Sequence, residues 1–366
     1  MRILMVDRAG AQSIWSLLDP IAAGATAAGH EVYSCRWDDG RAPFAMPGPA
    51  GVQDHPIRVP RAHWPGQVLH QHARFAPAFA RLLDRLRPDL VHTNFIVPGG
   101  IARWQARRAG ARVISTCHEV RGGMSPHLRA LGRLTQGAAD HIVHVSHHVA
   151  ASYGAAEAPL WPGTGVPARH LVIRNGLDLA ALGQVRPWPR PGARRVLVVA
   201  GRMVAAKGQR IALEAFARAA PGLPDLDLEL IGDGPDHAAL AARAAALGLA
   251  DRVVFAGWRP RSEVLARMAS AAAVLVPSLH EGFGLALAEA MALGRPAIAA
   301  DIPALRETAG LGQGVRLVPP GRPDALAEAL AAPFGLTGLH AGACDISAMV
   351  ARYLALYAAC DARIDR

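Results

Sequence analysis

Short, nearly unbroken apolar runs recur along this chain, and each is followed by a stretch with helical spacing. RILMVD, LVHTNFIV, RVISTCH and HIVHVS fall in the first half, and VLVVAGR, LDLELIGDG, VVFAGW, AVLVPS and PAIAAD in the second. A strand that alternates apolar and polar residues keeps one wet face, whereas a run such as VLVV has to be covered on both. Between the runs, segments such as PAFARLLDRLRP and IARWQARRAG space their apolar residues as helices do. Parallel strands cannot be joined by a tight turn, so this alternation predicts a doubly wound parallel sheet with helices on both faces. The expected fold class is α/β.

The runs form two series, which predicts two Rossmann-like domains with a cleft between them. The break comes near residues 186–194 at PWPRPGARR, where the prolines stiffen the backbone and remove hydrogen-bond donors. The resulting division is a domain over 1–178, a linker over 179–194, a second domain over 195–345 and a C-terminal helix over 346–366. That last segment contains DISAMVARYLALYAAC, amphipathic at helical spacing, which packs on one domain and is free to cross back to the first. Residues 40–66 are rich in Pro and Gly and read as a long surface loop.

At 366 residues each domain has length enough for its own core, and a 51% hydrophobic content with only 5% aromatics suits Ala-, Leu- and Val-rich packing of helices on parallel strands. The four cysteines, Cys35, Cys117, Cys344 and Cys360, are widely separated and form no CxxC pair, so free thiols in a reducing compartment are expected rather than a zinc site or disulfides. The opening MRILMVDRAG reaches Asp7 after four apolar residues and reads as a buried strand, not a signal peptide. No apolar run approaches the roughly 18 residues needed to span a bilayer. A cytoplasmic protein is expected.

The formal charge of +10 is unevenly spread. Residues 1–178 carry 19 basic against 12 acidic residues, the linker three against none, and 195–366 seventeen of each. A basic first half suits an acidic acceptor or the anionic inner face of the plasma membrane as a peripheral partner, and equally a solvated Arg-rich surface. Nucleic acid is not expected: the arginines are scattered, and no helix-turn-helix, RNP or zinc-finger pattern organises them.

The chemistry concentrates in VPSLHEGFGLALAEAMALGRP, residues 276–296. A strand ends at Pro277, a loop carries Glu281, Gly282, Phe283 and Gly284, and a helix runs through Ala290 to a Gly294 stop before Pro296. Ligands of open α/β sheets bind beyond the carboxyl ends of the strands. Glycines there let backbone N–H groups approach an anion, and the helix N-terminus adds its positive dipole, so a diphosphate is the natural guest. A carboxylate would repel phosphate, so Glu281 is read as a partner for hydroxyls. Glu289, in the opening turns of the helix, is read as a partner for a ribose diol or as an ordinary capping carboxylate. The second cluster is AGRMVAAKGQRIALEAF, residues 200–216, where Arg202 and Lys207 can neutralise a diphosphate, one as a planar fork and the other as a point charge. Lys207 is the only lysine in the chain.

Residues 195–307 resemble the donor-binding domain of the family 4 glycosyltransferases, which have the GT-B fold. The family's glutamate, Gly-Phe-Gly and second glutamate are matched by Glu281, Gly282 to Gly284 and Glu289. Its Gly-Arg and Lys-Gly are matched by Gly201-Arg202 and Lys207-Gly208, and its Ile-Gly-Asp-Gly-Pro by Ile231 to Pro235, which includes Gly234. Gly257 matches a strand-end glycine, and VIRNGLD, with Asn175, resembles the segment closing the N-terminal domain. The first half matches more loosely. STCHEV, with Thr116, His118 and Glu119, resembles the family's Thr-x-His segment, whose histidine sits near the transferred sugar, and HVS at Ser146 resembles another strand end. Where the family often has two glycines after the first strand, this chain has Ala9-Gly10-Ala11-Gln12. Ala273 and Pro303-Ala304-Leu305 also depart from it, while Glu307 is kept.

The resemblance implies a retaining transferase that moves a sugar from a nucleotide-diphosphate sugar to a glycan, lipid-linked or small-molecule acceptor, and the basic first half with no membrane span suits a place in polysaccharide or lipopolysaccharide synthesis. It assigns His118, Glu281, Arg202 and Lys207 to the reaction. Gly201, Gly234, Gly282, Phe283, Gly284, Leu285 and Glu289 fall to the donor, and Gly10 and Asn175 to the acceptor side. No cofactor or metal is expected beyond the sugar nucleotide, because the DLD triplet at Asp225–Asp227 precedes a strand instead of following one, and reads as a surface turn. A nucleotide-sugar epimerase on the same scaffold and a non-catalytic sugar-nucleotide-binding protein are the alternatives. A phosphorylase would need a lysine for pyridoxal phosphate, but the sole lysine stands in the phosphate loop. A dehydrogenase would need GxGxxG after the first strand.

Overall fold

The computed structural model describes residues 1–9, 12–40, 51–59, 67–189 and 194–361. The chain forms two compact units, Met1–Gly176 with Ile346–Arg366, and Leu177–Asp345.

In the first unit, strand β1 (Arg2–Arg8) leads through helix α1 (Gln12–Ala27) to β2 (Glu31–Asp38), then to short strands β3 (Gln53–Asp54) and β4 (Ile57–Arg58) and helix α2 (Gln67–Leu86). Then come β5 (Leu90–Asn94), α3 (Gly99–Arg108), β6 (Arg112–Cys117), α4 (Pro126–Gln136), β7 (His141–His144), α5 (His147–Ser152) and β8 (His170–Val172). The sheet is parallel, in the order β3-β2-β1-β5-β6-β7-β8, with β4 also pairing β2. Ile3, Leu4 and Val6 of β1 have no exposed surface, as a central strand covered on both faces requires.

The structure departs from the sequence-based expectations here in three places. Residues 53–58, assigned to a surface loop, contribute two strands, while residues 41–50 and 60–66 lie outside the described residues. β2 escaped notice because EVYSCRWD carries polar residues through its centre. Those residues find partners in β3, where Ser34 Oγ donates to Asp54 Oδ1 at 2.6 Å and Arg36 pairs with the same carboxylate at 3.2 Å. LVHTNFIV stops being a strand at Asn94, because Phe95 takes a left-handed φ of +53°.

The second unit opens with a short helix, α6 (Leu179–Gly183), inside the stretch read as linker. Asp178 caps it, its Oδ1 accepting from Ala181 N at 2.9 Å, and Trp188 N donates to Ala266 O at 2.9 Å, so this segment is packed structure. The chain continues as β9 (Arg195–Ala200), α7 (Gln209–Ala219), β10 (Leu226–Ile231), α8 (His237–Ala246), β11 (Val253–Gly257), α9 (Arg261–Ala269) and β12 (Ala273–Val276). Next are α10 (Leu285–Ala292), β13 (Ala297–Ala300), α11 (Pro303–Ala309), β14 (Gly312–Gln313), β15 (Arg316–Val318), α12 (Pro323–Ala331) and β16 (Gly338–Leu339). The main sheet is parallel in the order β11-β10-β9-β12-β13-β15, with one apolar cluster on each face. The DLD triplet is not a turn throughout: Leu226 and Asp227 begin β10, and the acids bind Arg195 (Asp225, 2.7 Å), Arg194 and Arg252 (Asp227, 3.1 and 3.2 Å).

Helix α13 (Ile346–Asp361) closes the chain and belongs to the first unit. It buries Met349, Tyr353, Leu356, Tyr357 and Cys360, and each large side chain so buried contributes about 1.5–3 kcal/mol. Gly24 of α1 allows its close approach, since a Cβ there would stand 2.7 Å from Val350 Cγ1. Tyr357 and Tyr353 carry hydroxyls into the core and are satisfied there: Tyr357 OH lies 2.7 Å from His92 Nδ1, and Tyr353 OH lies 3.1 Å from Thr116 Oγ1.

Candidate functional site

In the second unit the chain leaves β9 toward β10 on one side and later returns to place β12 on the other. The loops that follow β9 and β12 therefore flank a topological switch point, where open parallel sheets bind ligands. These loops are fastened together. Leu279 N donates to Ala206 O at 2.8 Å, and Gly208 sits so close to the Pro277 carbonyl that a Cβ would come within 2.1 Å of its oxygen.

The fastening brings together residues assigned separately from the sequence. Lys207 Nζ meets Glu281 Oε1 at 2.6 Å, and Ser278 Oγ donates to the same oxygen at 2.9 Å. Lys207 is one-third exposed and Glu281 mostly buried, so two ammonium protons and the second carboxylate oxygen remain for a ligand. Glu281, read from the sequence as a partner for hydroxyls, also orients the lysine. Gly201 and Arg202 lead out of β9, and the Arg202 side chain is exposed, with no ion pair among the described residues.

Gly282, Phe283, Gly284 and Leu285 lead into α10. Gly284 is its N-cap at φ +92°, and it supplies no side chain to bond the first-turn amides. An uncapped helix start presents backbone donors and a positive dipole to an anion. Substitution at Gly284 is opposed twice, by its φ and by Leu305 Cδ2, which would stand 2.5 Å from an added Cβ. The Phe283 ring is buried, and its carbonyl accepts from Thr308 Oγ1 on α11, so this residue anchors the loop. Gly234, after β10, packs against the Met203 carbonyl, where a Cβ would lie 2.2 Å from the oxygen. It shapes the 201–204 loop from behind.

Glu289 is buried in α10 beside Arg261 of α9, with a guanidinium nitrogen 2.5 Å from Oε1 in a poorly directed contact. Burial raises its pKa and the Arg261 charge opposes the rise. Arg261, Ser278 and Thr308 were not picked out from the sequence. Arg261 and Thr308 are distant in the chain from the residues they support, whereas Ser278 stands three positions before Glu281 inside the same loop, where an ordinary serine carries no signal of its own.

The remaining assigned residues lie in the first unit. His118 follows β6, its Nε2 2.9 Å from Asn94 Oδ1 and its ring 4.9 Å from that of Phe95. Burial, with His92 and Arg8 nearby, lowers its pKa to about 3, so the ring is neutral at pH 7. His118 Nδ1 and Asn94 Nδ2 are buried without hydrogen-bond partners, as is Oδ2 of Asp7 at the end of β1. Asp7 is pushed up to about 7 by burial, against the pull of Arg8. β1 and β5 are the strands at which this sheet reverses its order, so Asp7, Asn94 and His118 edge its own switch point. Asn175 is buried after β8, and Gly10 lies outside the described residues. Among the described residues no group of three or more His, Cys, Asp or Glu is arranged to hold a metal ion.

Known proteins resemble the chain on both sides of this division. Residues 184–332 match the profile of Glycosyl transferases group 1, and residues 18–181 that of Glycosyltransferase Family 4. The chain is 37% identical over 133 residues to 2-deoxystreptamine glucosyltransferase of Streptomyces kanamyceticus, covering 36% of this chain and 34% of that protein. It is 31% identical over 254 residues to the GDP-mannose-dependent alpha-(1-6)-phosphatidylinositol monomannoside mannosyltransferase of Mycolicibacterium smegmatis, covering 64% of this chain and 66% of that protein. These alignments thus span from about a third to two thirds of the relatives' lengths. The solved structure of HepE from Anabaena in complex with UDP and glucose shares the fold, with a TM-score of 0.69 at 19% identity over 100% of this chain and 98% of that one.

Proposed function

The chain belongs to the group 1 and family 4 glycosyltransferases, and from that premise we propose that it transfers a sugar from a nucleotide-diphosphate sugar to a hydroxyl acceptor with retention of configuration. The observation that carries this reading is the Lys207–Glu281 pair set beside the uncapped start of α10 at the second unit's switch point. A diphosphate there receives backbone amides, the Lys207 charge and the exposed fork of Arg202. UDP bound to HepE is a guest of the same chemical class.

In the reaction the bond from the anomeric carbon to the diphosphate oxygen breaks, and its electron pair goes to that oxygen. The acceptor oxygen bonds the same carbon from the same face, and its proton passes to the departing diphosphate. Charge grows on the diphosphate as the bond lengthens, so donors fixed in advance by Glu281, Ser278 and the helix start lower the barrier. Glu281, whose second oxygen is uncommitted, hydrogen-bonds sugar hydroxyls; Glu289 takes the ribose and neutral His118 the transferred sugar. No metal is required, because Lys207 and Arg202 supply the countercharge. The acceptor is a glycan, a lipid-linked saccharide or a small molecule, and the enzyme works at the cytoplasmic face of the membrane in surface-polysaccharide synthesis. Among the described residues no helix is long and apolar enough to cross a membrane.

A thermal-shift screen of UDP, GDP, ADP and their sugars, without metal and then with magnesium, tests the reading. A ligand at 100 times its Kd stabilises a fold by about 2.7 kcal/mol. Stabilisation by one nucleotide family without metal is expected, and its absence from every nucleotide would overturn the donor site.

A further inference from the structure

Arg103 of α3 is almost fully buried, and its guanidinium has only neutral partners. Nε and one terminal nitrogen donate to Thr135 Oγ1 at 2.9 and 2.8 Å, the latter also to Gly132 O at 2.9 Å, and the other terminal nitrogen to Ser115 Oγ at 3.2 Å. The neighbouring acids do not neutralise it. Burial holds the Cys117 thiol at about 11 and raises the Tyr153 phenol further, so both stay protonated at neutral pH. A buried charge with hydrogen bonds but no countercharge is costly, and it leaves a positive field in the space beside it.

That space is a small hollow of about 10 Å³ beyond the carboxyl end of β6, lined by Arg103, Arg121 and Arg129 with Glu119 and flanked by His118 and Tyr153; the half-buried Arg121 and Arg129 side chains have to swing outward to admit anything larger than a water. Arg121 stacks over the Tyr153 ring at 5.8 Å. Among the described residues neither Arg121 nor Arg129 forms an ion pair through its side chain, and both are only half-buried. Three arginines and one glutamate line it, next to the histidine that the proposed transfer uses.

We propose that this hollow is an anion subsite of the first unit, and that the acceptor carries a phosphate which it holds while the reacting hydroxyl lies toward His118. The acceptor assignment rests on the glycosyltransferase reading; the anion subsite does not. Arg121 and Arg129 are the reaching cations, and Arg103 is the fixed charge behind them, oriented by Thr135 and Ser115. A phosphate can arrive on a soluble phosphorylated sugar or polyol, or on a lipid headgroup.

The test uses the full chain labelled with 15N at arginine and saturated with UDP, so that the donor loops are occupied, and follows the Nε–Hε resonances while inorganic phosphate is added. A saturable shift in the hollow's arginines is expected, and Arg121→Gln/Arg129→Gln should weaken it at least tenfold with UDP affinity unchanged. No saturable shift in the natural protein, or equal phosphate affinity in the double variant, overturns the subsite. Failure of UDP to bind counts against the donor reading instead, and the phosphate titration is then run without it. Both substituted side chains are half-exposed, so the double variant should fold even where Arg103→Met does not. Given phosphate binding, pelleting with phosphatidylglycerol vesicles that the double variant loses assigns the phosphate to a lipid. Competition by glucose 6-phosphate without pelleting assigns it to a soluble acceptor.

Discussion

Lys207 and Glu281, 74 positions apart in the chain, meet at 2.6 Å across the two loops of the second unit's switch point. The carboxylate thus has two uses: one oxygen fixes the direction of the lysine, and the other is left for a ligand. Replacing Lys207 by alanine should lower kcat by about 100- to 1,000-fold with a smaller change in KM, the pattern expected when a donor acts mainly on charge that develops in the transition state. Steady-state kinetics with the preferred sugar nucleotide decides it. A rise in KM at constant kcat would assign Lys207 to ground-state binding alone.

Glu281→Gln makes a separate case. The amide can still bond a hydroxyl but no longer balances the ammonium charge of Lys207. A tenfold or greater loss of kcat/KM is expected, together with an altered dependence on sugar hydroxyls, measured by comparing deoxy analogues of the donor. Equal loss on every analogue would place the effect in the lysine.

Gly284→Ala should cost stability as well as binding. The left-handed φ of +92° and the 2.5 Å approach of Leu305 both oppose a methyl group, and about 1–3 kcal/mol is expected from a denaturant midpoint. The diphosphate should be lost with it, because the first-turn amides of α10 shift when their cap does.

Glu289→Gln separates support from contact. Burial already raises this carboxyl's pKa against the opposing Arg261, and Arg261 is exposed enough to be solvated once unpaired, so removing the charge should cost well under the roughly 3–5 kcal/mol of breaking a fully buried pair. If the residue holds the ribose, affinity for the nucleoside diphosphate falls tenfold in calorimetry while the melting temperature hardly moves. Unchanged affinity would make the pair with Arg261 purely structural.

His92 links the sheet of the first unit to α13 through Tyr357, and burial pushes its pKa down to about 3. In the unfolded chain it titrates near 6.5. The native state therefore binds fewer protons across this window, so its contribution is present above about pH 6.5 and is lost as the pH falls toward 3. Asp7, raised to about 7, has the opposite sign: its contribution is complete below about pH 4 and is lost as the pH rises through 7. Comparing His92→Gln with the natural protein isolates the first effect. The destabilisation by the substitution should be larger at pH 7 than at pH 4.5, and an equal or larger penalty at the lower pH would contradict the buried neutral ring.

The segment 276–296 was legible because its signals are local. A β-run, a glycine cluster and a helix with a glycine stop follow one another within a few residues of each partner. β2 was not legible, since Ser34 and Arg36 look like surface residues until Asp54 is placed beside them by β3. The same holds for the site. Glu281, Lys207 and Glu289 stand out by motif, but Lys207's attachment to Glu281 and Glu289's to Arg261 depend on the order of strands and helices, which no window of sequence contains. Phe283 and Gly234 were assigned to the donor, yet the first anchors its loop through Thr308 and the second braces the Met203 carbonyl.

Everything proposed for the second unit depends on a nucleoside diphosphate sitting on its paired loops. Calorimetric titration of UDP, GDP and ADP without metal, into the natural protein and into the Arg202→Ala/Lys207→Ala variant, decides whether it does. One nucleotide should bind the natural protein, and bind the folded variant at least tenfold more weakly. Equal binding to both, or no binding of any of the three, would contradict it.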